Sequence, residues 1–171
     1  MSADRVDAGV AGGRVGKLLL VGVPGVALAL GGLAGFLGWQ DASHRAAGIA
    51  AAESVTAARD AATAMLSYRT DTVEKELTAA RERLTGPFLD EYTKLVTEVV
   101  IPGSKEKKIS AAASVPAAAS VSATPRHAVA LVFVDQTVTI GGDAPTNTAS
   151  SIRVTLDRVG DRWLVAGFEP V

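Results

Sequence analysis

The sequence predicts an α+β fold on a membrane anchor: an N-terminal transmembrane helix, then about three helices packed on a curved four-stranded antiparallel sheet. Three observations carry this expectation. Residues 18–39 run LLLVGVPGVALALGGLAGFLGW without one charged side chain. Between Val55 and Val99 the apolar residues recur at three- and four-residue steps, the period of a helix. From Ile109 onward the period falls to two, the alternation of strands. The expected boundaries are a cytoplasmic tail at 1–17, a transmembrane helix at 18–39, a helical part at 40–104 and the sheet of the same domain at 105–171.

At about 1.5 Å per helical residue the apolar run is roughly 33 Å long, enough to cross a hydrocarbon core of about 30 Å. In lipid a lone run of this kind can satisfy its backbone only as a helix. Arg14 and Lys17 precede it and Gln40 and Asp41 follow, so the positive-inside rule places the short N-terminus in the cytoplasm. A cleavable signal peptide has a shorter apolar core and a small-residue cleavage site. Here the core instead ends in Phe36, Leu37 and Trp39, with Trp39 as an interfacial anchor. Gly31 and Gly35 form one GxxxG, a candidate contact surface for a second membrane helix.

Composition narrows the function classes. A net charge of −1 without a long basic block lacks the electrostatic footprint of a nucleic-acid binder. With no cysteine there is no disulfide, thiol catalysis or Cys-ligated metal. Two histidines, His44 and His127, cannot build a multi-His site within one chain. No cofactor is expected.

In the soluble part, Val55, Ala58, Ala62, Met65 and Leu66 share a face of a first helix over 42–68. Asp71 and Glu74 read as a capping box that opens a second helix, whose stripe is Val73, Leu77, Ala80 and Leu84. Gly86 ends it and Pro87 starts the third, with Phe88, Tyr92, Leu95, Val96 and Val99 facing inward until Pro102 and Gly103 break the pattern. Ile109 to Val121 then alternates apolar residues with Ser110, Ser114, Ser120 and Ser122, and Pro116 predicts an edge position or a bulge. Residues 128–134 read as a strand covered on both faces and continue to Ile140. Gly141-Gly142-Asp143 marks a turn, Ile152, Val154 and Leu156 a strand with one wet face, and residues 162–168 the last strand. In that strand Leu164 and Phe168 share one parity, Trp163 and Val165 the other.

Helices followed by a curved antiparallel sheet resemble the nuclear-transport-factor-2-like, or cystatin-like, cone. With a short tail and a single span, the chain resembles the actinobacterial Mce-associated membrane proteins. The residues that carry this are Leu66-Ser67-Tyr68, Leu84-Thr85-Gly86-Pro87-Phe88 with Glu91-Tyr92, and the closing Val154 to Val159 and Arg162 to Val165. The resemblance implies a non-enzymatic accessory subunit of an Mce-type lipid import complex in the cell envelope. Its implied partners are Mce transporter subunits, joined as a hetero-oligomer, with the domain outside the cytoplasmic membrane.

The cone also hosts enzymes such as ketosteroid isomerase, which need a carboxylate base and oxyanion donors in one pocket. The weak pocket candidates here are Tyr68, Tyr92 and Asp135, which shares the parity of Leu131 and Phe133. No nucleophile–base–orienter set can be assembled from the sequence, so no catalytic residue is assigned and the chain is expected not to be an enzyme. Ser110, Ser114 and Ser120 mark the candidate edge strand for a partner. Two other readings stay open: an extracytoplasmic domain that binds a lipid or small hydrophobe, and a bitopic assembly factor of a secretion-type machine.

The topology is directly testable. A protease added to spheroplasts is expected to digest the domain beyond Trp39, and protection of that domain would reverse the orientation.

Overall fold

The computed structural model describes residues 44–171. The apolar run at 18–39, with Gly31 and Gly35, lies outside them. Among the described residues no helix is long and apolar enough to cross a membrane.

Helix α1 covers 44–66. Its buried stripe is Ala50, Ser54, Ala58, Ala61, Ala62 and Met65, nearly all small, which lets its backbone approach its neighbours closely. Ser54 can be buried because its hydroxyl donates to the Ala51 carbonyl at 3.1 Å. The chain then runs beside the first strand: the amides of Tyr68 and Ala111 each donate to the other's carbonyl at 2.8 Å.

Helix α2, Val73–Ala80, buries Val73, Leu77 and Ala80 as its periodicity requires. A 3₁₀ turn, Arg81–Arg83, brings Leu84 into a bridge with Val165. The predicted capping box is not formed. The N-cap is Thr72, one residue after Asp71, and it makes no side-chain cap hydrogen bond. That offset frees Glu74, which accepts from Lys105 Nζ at 2.8 Å; this hydrogen bond holds its carboxyl below the usual range. Glu76 accepts the Arg69 amide at 2.8 Å, and that bond is the main reason its own carboxyl is held low.

Helix α3, Gly86–Leu95, opens on a glycine at φ +61°, followed by Pro87 in the first turn. The expected break at Pro102 does not occur. The helix passes through a π turn, Val96–Val100, into helix α4, Ile101–Lys107, with Pro102 in its first turn. The i→i+5 turn displaces the ordinary ladder where proline has no N–H to give, so the helix continues. Tyr92 and Val96 are buried as expected, but Leu95 is 53% and Val99 59% exposed. Helix α4 ends at Lys108 in the left-handed region, and Ser104 Oγ, buried, donates to the Ile109 carbonyl at 2.7 Å.

Four antiparallel strands follow in meander order: β1 Ile109–Ala123, β2 His127–Ile140, β3 Thr146–Val159 and β4 Arg162–Pro170. Positive-φ glycines, Gly141 and Gly160, make the β2–β3 and β3–β4 turns. Strand β2 pairs with β3 in unbroken register from His127 to Val138, so its parity never changes. Its even-numbered residues Ala128, Ala130, Val132 and Val134 are buried, and they join Ile152, Val154 and Leu156 of β3 under the helices. The other face of β2 is not covered as expected, since Phe133 is 42% exposed.

Pro116 marks a bulge as predicted: Ser114 pairs with Asp135 but Ala117 with Phe133, one extra residue on β1. A bulge reverses parity, so Ala117, Ala119 and Val121 do not stay with Ala111 and Ala113 on the core face. Strand β1 has a second shift between Ser120 and Ser122, and β4 has one at Ala166, where Leu156 pairs with Val165 and Thr155 with Gly167. The β4 shift returns Phe168 to the face of Trp163 and Val165, contrary to the simple alternation.

Trp163, 9% exposed, packs at the α1 side of the sheet. Its indole Nε1–H donates to Glu53 Oε2 at 3.2 Å, and Arg158 reaches the same oxygen at 3.1 Å. The Arg158 guanidinium also lies over the Trp163 ring, 5.8 Å from its centroid. Trp163→Ala is expected to cost about 3–5 kcal/mol in chemical denaturation. A loss under about 1 kcal/mol would show that the indole contributes no core packing.

Candidate functional site

The end of α1, the α3–π wall and one end of the sheet leave a half-open cavity of about 420 Å³. Each element contributes what its local sequence dictates. Helix α1 ends in Met65 and Leu66, and Tyr68 follows on the bridge to β1. Phe88, Tyr92, Leu95, Val96 and Val100 come from the helix that carries the π turn. From the sheet come Gln136 on the buried parity of β2 and Phe168, turned inward by the bulge at Ala166. The Phe88 and Phe168 rings stack with centroids 6.4 Å apart.

The lining is apolar apart from a few groups. Tyr92 is 6% exposed, and its hydroxyl is sealed in the wall with no hydrogen-bond partner among the described residues. Burial pushes this phenol up, above the usual tyrosine range, and does the same more mildly to Tyr68. The Tyr68 side chain is half-buried, and its hydroxyl makes no hydrogen bond among the described residues. Gln136 donates from Nε2 to the Leu66 carbonyl at 3.0 Å, which leaves its Oε1 as an unused acceptor among the described residues. Glu91 is the one charged residue of the lining.

Of the three weak pocket candidates, Tyr68 and Tyr92 are brought together and Asp135 is not. Asp135 shares its parity with Phe133, as the sequence indicated, but that parity faces away from the helices. Its exposed carboxylate lies beside Asn147 and Ala149 on the uncovered face. The residue that enters the cavity is its neighbour Gln136, the polar continuation of the buried parity that runs from Ala128 to Val134. Phe168 was hidden by the bulge. Among the described residues no cluster of His, Asp and Glu could hold a metal ion.

The candidate partner strand is also divided. Ser110 is engaged by Thr70, whose amide donates to its Oγ at 3.2 Å, and the segment around Ser67 covers β1 as far as Ala113. Ser114 and Ser120 are exposed, and the stretch 119–122 is exposed at every residue. Strand β1 contains no charged side chain over its whole length.

In fold, the domain matches the periplasmic domain of DotI with a TM-score of 0.59 and 16% identity, over 68% of this chain and 91% of that one. It matches an IcmL-like type IV secretion system protein of Legionella pneumophila with a TM-score of 0.58 and 9% identity, over 68% of this chain and 88% of that one. These likenesses define the fold class: an α+β domain with the architecture of the DotI periplasmic domain and of the IcmL-like protein. No family model matches the chain. In sequence it is 59% identical over 149 residues to outer membrane protein Rv1973 of Mycobacterium tuberculosis, covering 87% of this chain and 93% of that protein. The chain belongs to the family of this mycobacterial protein.

A sealed hydroxyl without a partner costs stability. Tyr92→Phe is therefore expected to leave stability unchanged or raise it by up to about 1–2 kcal/mol. The neutral phenol contributes stability that is fully present below the ordinary tyrosine value of about 10 and is lost as pH rises through the folded value. Tm is accordingly expected to fall in strongly alkaline solution, and to fall less in Tyr92→Phe. Equal alkaline profiles would show that the hydroxyl finds solvent.

Proposed function

We propose that the chain is a non-enzymatic accessory subunit of a multi-protein complex in the cell envelope, and specifically a stabilising subunit of an Mce-type lipid importer. The observation that carries a partner-binding role is the open half of β1. An edge strand presents unpaired backbone groups, and proteins commonly blunt such edges with charge. Here the exposed stretch 119–122 is Ala-Ser-Val-Ser, with Pro116 and two register shifts as its protection. Such an edge suits strand addition by a partner. The anchor expected at 18–39 would hold the domain at the membrane and raise its effective concentration for a membrane complex.

The mycobacterial relative and the resemblance to Mce-associated proteins support the envelope setting. That relative is named an outer membrane protein. An apolar helix of this length suits the cytoplasmic membrane, whereas outer-membrane spans are typically closed barrels. The strands described here bury one face in the domain's own core. We therefore place the anchor in the cytoplasmic membrane and the domain on its outer side. The likeness to DotI and the IcmL-like protein favours a second reading, a bitopic assembly factor of a secretion-type machine.

Purification of the full-length protein from its own membranes distinguishes the two by which subunits accompany it. Ser120→Lys adds charge to the open edge and is expected to lower recovery of the partner about tenfold, or roughly 1.4 kcal/mol, with folding unchanged. Unaltered recovery would remove β1 from the interface. Full loss of transport in Asp135→Asn, with partners still bound, would overturn the non-enzymatic reading, because loss of a catalytic base typically costs about 10²-fold or more.

A further inference from the structure

The cavity has the size and lining of a small-molecule site, and nothing in the partner-binding role requires it. Its volume of about 420 Å³ lies within the usual range of ligand pockets, about 300–1,000 Å³. The aromatic pair Phe88 and Phe168 and the rim residue Leu95 offer an apolar path inward from solvent. Besides the sealed Tyr92 hydroxyl, two uncharged polar groups in this lining have hydrogen-bonding capacity left over among the described residues: the Tyr68 hydroxyl and Gln136 Oε1. The hydroxyl can donate to a ligand oxygen, and the amide oxygen can accept from a ligand hydroxyl. Gln136 is already oriented by the Leu66 carbonyl, so its acceptor is held in place before any ligand arrives.

Charge selects among amphiphiles. Lysine and arginine are absent from the lining, and its one charged residue is the exposed carboxylate Glu91, without an ion-pair partner among the described residues. A fatty acid would bring a second negative charge toward this carboxylate and find no cation to receive it. A hydroxyl head meets a donor and an acceptor and no repulsion.

We propose that this cavity binds an uncharged single-chain amphiphile, its tail between Phe88, Phe168 and Leu95 and its hydroxyl between Tyr68 and Gln136. The binding does not rest on the partner-binding role, and a failed co-purification leaves it standing.

The test uses the full-length protein in phosphatidylcholine liposomes above neutral pH. The probes are a long-chain fatty alcohol and the fatty acid of equal length, each with a diazirine in the chain. After illumination, labelled residues are mapped by mass spectrometry. The alcohol is expected to label the cavity wall, and the acid to do so about tenfold less. Glu91→Gln should raise the acid's share severalfold, and Tyr68→Phe should lower the alcohol's cavity label about threefold to tenfold. Both variants change side chains that reach solvent, and far-ultraviolet circular dichroism checks that each is folded. Alcohol label confined to 18–39, equal labelling by both probes, or a ratio that Glu91→Gln does not move would overturn the proposal.

Discussion

The fold depends on one constraint, the unbroken parity of β2. From His127 to Val138 this strand keeps a single register with β3, so one set of alternate residues is committed to the interior. Two of those residues are alanines, Ala128 and Ala130, and they share a core with the alanines of α1. Small side chains from both sides let helix and sheet approach closely, at the expense of buried area per residue. Larger side chains, Leu77, Leu156 and Trp163, complete the same core. A one-residue slip of β2 would exchange Val132 and Val134 for Phe133 and Asp135 and place a carboxylate against the helices.

Much of this architecture was legible because the hydrophobic period is strong wherever the backbone is regular. The stripe Val73, Leu77, Ala80 and Leu84 is buried throughout, and Ile152, Val154 and Leu156 point inward. Several of the errors fall where a regular element is interrupted. Pro116 announces its bulge, because proline cannot donate to a ladder. Ala166 carries no such mark, and so Phe168 was assigned to the wrong face. The π turn likewise departs from a regular element and carries the chain through Pro102. The cavity was legible in part. Tyr68 and Tyr92 lie on recognisable apolar faces, whereas choosing Gln136 over Asp135 required knowing which face of β2 the helices cover.

The cavity and the open edge draw on different parts of the domain. The cavity takes most of its wall from α1 and the α3–π helix, with Gln136 and Phe168 from the sheet. The open edge belongs to β1 beyond Ala113, where the segment 67–70 no longer covers it. A partner strand on that edge would extend the sheet without taking any residue from the cavity lining.

The contact between Glu53 and Trp163 spans 110 positions along the chain. The sheet, by contrast, is a meander in which each strand pairs with the next. Of the described elements helix α1 is made first, yet its buried face has no complete surface to meet until the last strand exists. Synthesis from the N-terminus therefore leaves an Ala-rich helix waiting for its sheet, while the strands can pair as they emerge. Assembly is closed by the first and last elements together, so a chain truncated before Trp163 loses the seat of its first helix along with its last strand.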